Sequence, residues 1–407
     1  MDLSFEVKRT KPDIIVYIPR SEDGSTHDTG NEHFLVFEMP DGNLGAIWTQ
    51  SSYEGAPDQR IVFSSSKDIF NWEKPKVIAG SGKNMASWGF PLVSSKGRIY
   101  VIYSQHTGKF DTFFHTTGLM AGIYSDDCGK TWSEPEVIDM PRSIYDNPDK
   151  TFPSNWIVFQ KPERISKGKY FTGFTRWISK ERWSKKQKTS IRGWYHYPSV
   201  VEFMRFENID ENPDVKDIEI SYFSSNEKAI KVPLPENPEI SVCQEPSIVK
   251  LPDNRLFCIM RTFTGSPWYT ISEDEGENWS EPEILRYRDD GEKILHPISP
   301  CPIYRIDKER YFFLFHNNDG NFEKWKPKDT EHNRRPLYIS EGKYMKEAKQ
   351  PVWFSEPEFL MDTDAIPLGP LKRVGLPMYG SFTIFKNKKI LWYPDRKFFL
   401  LGKFIKM

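Results

Sequence analysis

The sequence predicts an all-β fold, a six-bladed β-propeller of four-stranded antiparallel blades formed by residues 1–407 as a single domain. Three observations lead to this prediction. A pair of apolar runs joined by a turn recurs six times, and repeats of this kind are typical of propellers and solenoids. The periodicity of amphipathic helices is almost absent. Aromatic residues reach 15% of the chain, which suits a large β core.

The repeats have the pattern of β-hairpins. Their second apolar runs cover residues 44–50, 99–106, 170–176, 256–261, 311–316 and 390–393. Turn residues precede these runs, for instance Pro40, Asp41 and Gly42 before the first. Short β-rich runs joined by Gly, Asn or Asp turns are typical of hairpins. One such hairpin in each sheet predicts six blades.

The last repeat lacks a fourth strand of its own, because the chain ends shortly after the apolar run 398–404. The N-terminal run 14–18 belongs to no other blade. We therefore expect it to complete the sixth blade and to close the ring, which leaves no open sheet edge. A seven-bladed ring is the alternative, since residues 177–241 are numerous enough for an extra sheet.

A second repeated segment joins a strand to a tight turn. In residues 122–133 an aspartate is followed by a glycine, which allows a positive φ, and by a tryptophan that can pack beneath the turn. Residues 269–280 repeat the pattern. The positions are Ser125, Asp127, Gly129 and Trp132 in the first copy, and Ser272, Asp274, Gly276 and Trp279 in the second.

This S-x-D-x-G-x-T-W pattern is the Asp box. With the six hairpins, the chain resembles the sialidase-like superfamily of Asp-box (BNR repeat) β-propellers over nearly its whole length. That superfamily includes sialidases and is related to propeller-type rhamnosidases and polysaccharide lyases. The resemblance implies that Asp127 and Asp274 are structural turn residues on the face away from the active site.

The repeat also predicts which residues meet at the central funnel. In a propeller, the starts of the first strands and the ends of the second strands share one rim. Arginine forks bind carboxylates and tryptophan rings can stack on sugars, so an acidic sugar such as a sialic or uronic acid is the expected ligand. The predicted rim residues are His33, Trp48, Trp88, His106, Trp156, Arg176, Glu245, Arg261, His316, Asn317 and Tyr379.

The resemblance implies an exo-acting glycoside hydrolase that cleaves a terminal bond in an acidic glycan. Tyr379 stands where the tyrosine nucleophile is expected, and Glu245 where its base is expected. Arg261 follows Glu245 after a hairpin, like the carboxylate-binding arginine of sialidases. The remaining matches are Arg335, or Arg334 beside it, for the next carboxylate-binding arginine, and Asp58 for the acid.

One departure from the family pattern leaves other functions open. The opening Arg-Ile-Pro motif is missing, and Glu32 lies in the segment that replaces it. The first alternative is a polysaccharide lyase or rhamnosidase acting at rhamnose–glucuronate or ulvan-type linkages. In a lyase, His33, His106 and Tyr379 are candidate proton-transfer groups, and Arg176 would neutralise the uronate. The second alternative is a carbohydrate-binding propeller without catalysis.

A basic, aromatic-rich insertion at about 177–198 interrupts the repeat. Such a segment can act as a lid that attracts a polyanionic glycan, or it can be a solvated surface loop. Its basic residues are Lys180, Arg182, Lys185, Lys186, Lys188 and Arg192, opposed by Glu181 alone.

Composition argues against several other classes. Lys+Arg 56 and Asp+Glu 57 leave a net charge of -1, so no nucleic-acid partner is expected. No apolar run is long enough to cross a membrane. Since the N-terminus has no signal-peptide pattern, the chain as it stands is expected in the cytoplasm. A secreted or periplasmic location is expected if a leader has been removed.

No cofactor is predicted. The four cysteines form no CxxC pair and are expected to be free thiols. The sequence has no metal-binding motif, although a structural Ca²⁺ is compatible with it. Composition and motifs give no indication of the oligomeric state.

Overall fold

Six antiparallel sheets stand around a central axis in the computed structural model, which describes residues 2–80, 84–113 and 115–407. The predicted all-β, six-bladed propeller is therefore confirmed. Each sheet is a blade that runs from an inner strand at the axis to an outer strand at the surface, with four strands or their split equivalents.

The first half of the ring follows the chain directly. Strand β1 (Ile14–Tyr17) precedes blade 1, which contains β2 (Gly30–Glu38), β3 (Leu44–Ser51), β4 (Arg60–Ser66) and β5 (Lys76–Ala79). Blade 2 contains β6 (Ala86–Val93), β7 (Ile99–Gln105), β8 (Leu119–Ser125) and β9 (Glu136–Ile138). Blade 3 has a split inner strand, and contains β10 (Trp156–Ile157), β11 (Glu163–Ser166), β12 (Lys169–Trp177), β13 (Ser199–Phe206) and β14 (Ile220–Phe223).

The second half begins after a short hairpin of β15 (Pro233–Leu234) and β16 (Asn237–Ser241). Blade 4 contains β17 (Cys243–Lys250), β18 (Leu256–Thr262), β19 (Trp268–Ser272) and β20 (Glu283–Ile284). Blade 5 has a split outer strand, and contains β21 (Ile303–Arg305), β22 (Arg310–Phe315), β23 (Leu337–Tyr344), β24 (Val352–Phe354) and β25 (Glu358–Met361). Blade 6 contains β26 (Ser381–Phe385), β27 (Lys388–Asp395) and β28 (Phe399–Phe404), together with β1.

The N-terminal strand closes the ring as predicted. Strand β1 pairs antiparallel with β28, and Ile14 lies opposite Gly402. This pairing joins the two ends of the chain in one sheet and gives blade 6 its fourth strand. The seven-bladed alternative is wrong, because the stretch available for an extra sheet forms β13, β14 and the two-stranded β15–β16 hairpin with short turns.

Helices are few and short. Helix α1 (Leu3–Glu6) precedes the ring, and α2 (Lys185–Ser190) lies in the insertion between β12 and β13. No helix in the described ranges combines the length and the apolar character required to span a bilayer. All four cysteines are free, as expected. Single 3-10 turns cover Lys180–Arg182, Trp194–His196, Ile209–Glu211, Val215–Asp217 and Asn226–Lys228.

The two Asp boxes connect the third and fourth strands of blades 2 and 4. In blade 4, the Asp274 carboxylate accepts a hydrogen bond from the Asn278 amide at 2.8 Å. Trp279 then stacks on Phe203 of blade 3, with ring centroids 4.0 Å apart. Asp127 forms the same type of turn in blade 2. Each box closes a turn and packs on the preceding blade, since Trp132 of blade 2 lies edge-to-face on Phe63 of blade 1 with ring centroids 5.4 Å apart.

Three inner strands contain a β-bulge at equivalent positions. The bulged residues His33, Trp88 and Glu245 have φ values of 55°, 57° and 49°, where the strand registers shift. A bulge of this kind re-aims the side chain of a strand residue. The Trp88 amide donates to Thr49 Oγ1 at 2.9 Å, and the Glu245 amide donates to Thr175 Oγ1 at 2.7 Å. In both cases a threonine on the second strand of the preceding blade holds the bulge.

Replacement of an Asp-box glycine tests how tightly the blades pack. Gly276 has a φ of +91°, and a Cβ there would lie 2.1 Å from the Phe171 ring. Gly42 is the matched control, since its φ is +76° but its Cβ would meet nothing within 4 Å. We expect Gly42→Ala to lower the free energy of unfolding by about 1–2 kcal/mol through backbone strain. Gly276→Ala should lower it by about 1–3 kcal/mol more, because Phe171 must also move. Equal losses in chemical denaturation would contradict this packing.

Candidate active site

A cavity of about 260 Å³ lies where the inner strands of the six blades converge. Its volume suits a compact ligand such as one sugar ring, since pockets for drug-sized molecules span about 300–1,000 Å³. In the described residues, no group of three or more His, Cys, Asp or Glu side chains is arranged to hold a metal ion. The ionisable groups that line the cavity are Glu54, His115, Glu245, Arg261, Glu331, Arg334, Arg373, Tyr379 and Lys397, and its aromatic wall is formed by Trp88, Phe113, Trp177 and Trp194.

Tyr379, Glu245 and Arg261 form a buried hydrogen-bonded triad in this cavity. The Tyr379 hydroxyl donates to Glu245 Oε1 at 2.7 Å. Arg261 Nη1 donates to Glu245 Oε2 at 2.6 Å and to the Tyr379 oxygen at 3.1 Å. Burial, and then the Glu245 charge, raises the pKa of Tyr379. The phenol is therefore protonated at neutral pH, and Glu245 is placed to accept its proton.

Two blades bring the triad together. Glu245 occupies the bulge of β17, Arg261 lies near the end of β18 in the same blade, and Tyr379 directly precedes β26 in blade 6. Blade 1 fixes the backbone of Tyr379, because the Phe34 amide donates to its carbonyl at 2.8 Å. The bulge and the closed ring therefore set the geometry of the triad together.

Arg334 adds a second positive charge to this side of the cavity. It is buried and donates through Nε and Nη2 to the Ile298 carbonyl, at 3.0 and 2.7 Å. Within the described part of the chain it forms no ion pair with a carboxylate. The Trp194 ring centroid is 5.2 Å from Arg334 Cζ and 5.4 Å from Arg261 Cζ. Burial, and then repulsion from Arg261, lowers the pKa of Arg334, so an anionic ligand would stabilise its charge.

A network of ion pairs lines another part of the cavity. Arg373 contacts Glu54 and Glu331, and Lys397 contacts Glu54 and donates to Glu32 at 3.0 Å. Burial, and then the Glu54 charge, raises the pKa of Glu32 to about 7. Burial also acts to raise the pKa of Glu54, but the charges of Lys397 and Arg373 hold it well below its usual value. Lys397 therefore offsets the negative charges of Glu32 and Glu54.

The structure places five of the predicted site residues on the cavity wall. They are Trp88, Glu245, Arg261, Arg334 and Tyr379. Trp88 is positioned by its bulge and packs edge-to-face on Tyr379, with ring centroids 5.6 Å apart. The aromatic wall and the triad are thus in direct contact.

Three predicted histidines are buried and do not line the cavity. His33 is fully buried in the bulge of β2. His106 lies 3.2 Å from Ser87 Oγ, and His316 lies 3.1 Å from Ser299 Oγ. The same Ser–His pairing thus recurs in blades 2 and 5, each time with the histidine directly after the second strand of the blade. This recurrence indicates a structural link within the blade.

Two predicted arginines are enclosed by carboxylates away from the cavity wall. Arg176 pairs with Asp146 at 3.0 Å and with Glu202 at 2.8 Å. Arg335 donates twice to Asp362, at 2.8 and 2.7 Å. These carboxylates accept from the guanidinium groups, and neither arginine is among the residues that line the axial cavity.

Four further predicted residues also lie outside the cavity wall. Trp48 and Trp156 are fully buried in the blade cores. Asp58 accepts a hydrogen bond from Ser52 Oγ at 2.6 Å and is partly exposed. Asn317 occupies a turn after β22 with a φ of 48°. A strand-end position alone therefore does not determine whether a side chain faces the axis.

Several residues of the cavity are not identified by the hairpin repeat. Glu54, His115 and Arg373 lie in loops outside the strands, and Glu331 and Lys397 are also loop residues. The repeat describes strands and says nothing about the path of the loops. The sequence feature that could have indicated these loop residues is the presence of charged and polar runs close to the predicted rim, such as 395–397 and 331–335.

The fold and the axial cavity together define a sialidase-like BNR β-propeller. More particularly, residues 42–364 match the family described as the BNR repeat-like domain. Since this match covers most of the chain, the protein belongs to that family. Among curated proteins, none matches the chain significantly.

Solved structures share the fold at low sequence identity. A protein of unknown function from Dyadobacter fermentans has a TM-score of 0.62 and 13% identity, over 97% of each chain. The NanB sialidase from Streptococcus pneumoniae has a TM-score of 0.60 and 11% identity, over 96% of this chain and 69% of the sialidase. An α-L-arabinanase from Penicillium chrysogenum has a TM-score of 0.57 and 12% identity, over 97% and 98%. At these identities the likeness concerns the fold alone.

The buried histidines predict a loss of stability in mild acid. Burial holds the pKa of each well below 6.5, so they are neutral when folded but bind protons when unfolded. Their stabilisation is present above pH ~6.5 and is lost as the pH falls, by up to about 1.4 kcal/mol per pH unit for each histidine. The pKa is lowered to about 3 in the buried His33 and His316, to about 4 in the buried His106, and well below its ordinary value in the buried His296. The half-buried His115 on the cavity wall also has its pKa lowered to about 4.

Urea unfolding between pH 8 and pH 5 measures this effect. Glu32 acts in the opposite direction, because its raised pKa of about 7 stabilises the folded state at low pH. One carboxyl is outweighed by five histidines, so the free energy of unfolding should fall steeply below pH 6.5. A free energy that is constant or rises on acidification would contradict this assignment of neutral buried histidines.

Proposed function

We propose that the protein is a glycoside hydrolase that releases a terminal, carboxylate-bearing sugar from an acidic glycan. The observation that carries the proposal is the buried triad of Tyr379, Glu245 and Arg261, which lies beside Arg334 in a cavity of about 260 Å³. The sialidase and arabinanase that share the fold support a sugar as the substrate. Family membership and triad chemistry point to the same reaction class.

In the proposed reaction, Tyr379 Oη attacks the anomeric carbon while the bond to the leaving oxygen breaks, and the leaving oxygen takes up a proton from solvent. Glu245 Oε1, 2.7 Å from the phenol oxygen, accepts the phenolic proton as the new bond forms. This transfer is required because burial keeps the phenol protonated. In the second step water attacks the anomeric carbon and releases one proton to solvent, while the bond to the tyrosine breaks and Glu245 returns its proton to the departing phenol oxygen. The two steps together add one water across the glycosidic bond.

Positive charge beside the triad stabilises the charges that this reaction involves. Lys397 Nζ lies 4.3 Å from the centroid of the Tyr379 ring and favours negative charge on the phenol oxygen. Arg261 Nε is a buried donor with no hydrogen-bond partner among the described residues. Together with Arg334, which has no carboxylate partner there, it offers donors that a sugar carboxylate would satisfy.

β-Elimination is the second candidate, and one observation favours it. His115 lines the cavity, and burial lowers its pKa to about 4, so its imidazole is an unprotonated base at neutral pH. In a lyase it would remove the proton next to a uronate carboxylate. Arg261 and Arg334 would neutralise that carboxylate. Tyr379 would then protonate the leaving oxygen.

A substrate screen with product mass analysis tests the proposal. The panel contains aryl glycosides and natural oligosaccharides of sialic acid, glucuronic acid and neutral sugars, with rhamnose–glucuronate and ulvan fragments. Hydrolysis adds the mass of one water to the products, whereas elimination adds none and creates a conjugated enoate with new ultraviolet absorbance. Release of acidic sugars with a gain of water is the expected result. Equal release of neutral sugars would contradict the carboxylate specificity.

Variants of the triad test the assigned roles. Glu245→Gln should lower kcat about 10²–10⁴-fold, because it removes the proton acceptor, and Tyr379→Phe should lower it at least as far. Tyr170→Phe is the matched control, since Tyr170 is a buried phenol that donates to the Val93 carbonyl outside the cavity. If the wild type shows no turnover and these variants bind glycans as it does, the result would indicate a carbohydrate-binding propeller without catalysis.

A pair of adjacent arginines tests carboxylate binding. Arg334→Met should raise KM for the acidic substrate at least about tenfold, because a charge-assisted hydrogen bond is worth about 1.5–3 kcal/mol. Arg335→Met is the comparison, since its guanidinium pairs with Asp362 outside the cavity. A similar rise in KM for both variants would show that the effect comes from the fold and not from the cavity.

A further inference from the structure

A row of aromatic rings continues the cavity wall toward the insertion. We call it the aromatic strip, and it comprises Trp88, His115, Phe113, Tyr197 and Trp183. Successive ring centroids are 6.1, 5.9, 5.0 and 5.0 Å apart. Trp88 is buried beside the triad, whereas the other four rings are half-buried. The strip therefore leads from the reacting end of the cavity to rings that solvent can reach.

The outer end of the strip carries positive charge. Lys180 Nζ lies 5.3 Å from the centroid of the Tyr197 ring. Lys186 forms an ion pair with Glu239 at 3.0 Å. The five other cations of the insertion form no ion pair with any carboxylate in the described ranges, and they are Lys180, Arg182, Lys185, Lys188 and Arg192. All of them except the half-buried Lys180 are exposed. Exposed, unpaired cations on one segment attract polyanions and are sensitive to salt.

The insertion is anchored to neighbouring loops and strands by contacts before and within α2. Arg182 Nε donates to the Asp146 carbonyl at 3.1 Å, and Gln187 Nε2 of α2 donates to the Glu239 carbonyl at 2.8 Å. Ser184 caps α2 in a capping box with Gln187. These contacts favour a fixed wall that presents the strip, rather than a mobile lid.

We propose that the aromatic strip binds further sugars of a polyanionic polysaccharide, on the leaving-group side of the cavity. This inference rests on the proposed hydrolysis, because a cavity that holds one terminal sugar leaves every other sugar on the leaving-group side. Half-exposed aromatic rings stack on the apolar faces of sugars. The cations of the insertion bind the carboxylate or sulfate groups of those sugars. The preferred substrate is accordingly a long acidic chain and not a short glycoside.

Binding of polymers and monosaccharides tests the strip without requiring turnover. The probes are polysialic acid and polygalacturonate, each compared with its monosaccharide, at low and high salt. The strip variant is Trp183→Ala with Tyr197→Ala, the charge variant is Lys185→Gln with Lys188→Gln, and circular dichroism verifies that each folds. The control is Lys74→Gln with Lys76→Gln, which removes two exposed lysines at the Asp-box side of blade 1.

We expect wild-type protein to bind at least one polymer more tightly than its monosaccharide. The strip variant should lower the ratio of polymer to monosaccharide affinity about tenfold, equivalent to about 1.4 kcal/mol. The charge variant should weaken the salt dependence of polymer binding. The proposal is overturned if neither polymer binds more tightly than its monosaccharide, if both affinities fall together, or if the control has the same effect.

Comparison of polymer binding with sugar release separates this inference from the proposed hydrolysis. If the strip binds polymer but wild-type protein releases no sugar, the hydrolysis proposal fails and the strip stands. If sugar is released but the strip variant keeps the wild-type ratio of affinities, the strip fails and the hydrolysis stands.

Discussion

The Glu245 carboxylate is the group on which the organisation of the cavity depends. One of its oxygens accepts from Tyr379 and the other from Arg261, so a single side chain joins blades 4 and 6 across the axis. A buried carboxylate is tolerated only when it is paired and hydrogen-bonded. Removing it would leave the Arg261 charge buried without its partner, a loss that typically reaches about 3–5 kcal/mol. The same contacts hold Glu245 Oε1 2.7 Å from the Tyr379 phenol oxygen.

The closed ring explains how a strand residue can be held so firmly at the axis. Glu245 lies in a bulge, and Thr175 of the preceding blade accepts its amide hydrogen bond at 2.7 Å. Trp88 is held in the same way by Thr49. Because β1 pairs with β28, no blade at the end of the chain is free to move away from the axis. The position of the triad is therefore a property of the whole ring.

The fold could be predicted from the sequence because its signals are local. Hairpin turns and Asp boxes are formed by residues close together in the sequence. Asp274, for example, accepts a hydrogen bond from the backbone amide of Asn278, four positions later. Tyr379, Glu245 and Arg261 were expected together because the resemblance to sialidases implies a site position for each. The surroundings of Arg176 could not be predicted, because its ion-pair partners Asp146 and Glu202 are distant in sequence.

The loop residues that line the cavity could also not be predicted from the sequence. Arg373 and Lys397 meet Glu54 from loops about 320 to 340 residues further along the chain. The propeller brings these loops together only because its last blade lies beside its first. A repeat predicts the strands of such a ring, but it does not predict how charged loop residues pair above them.

A trapping experiment tests the central role of Tyr379 most directly. A fluorinated glycosyl fluoride of the sugar that the protein releases forms a glycosyl–enzyme bond that water cleaves only slowly. Intact-mass and peptide mass spectrometry then locate the attached sugar. We predict one sugar per chain, attached to Tyr379 and lost in Tyr379→Phe. A sugar attached to another residue, or turnover that leaves Tyr379 unmodified throughout, would contradict the account.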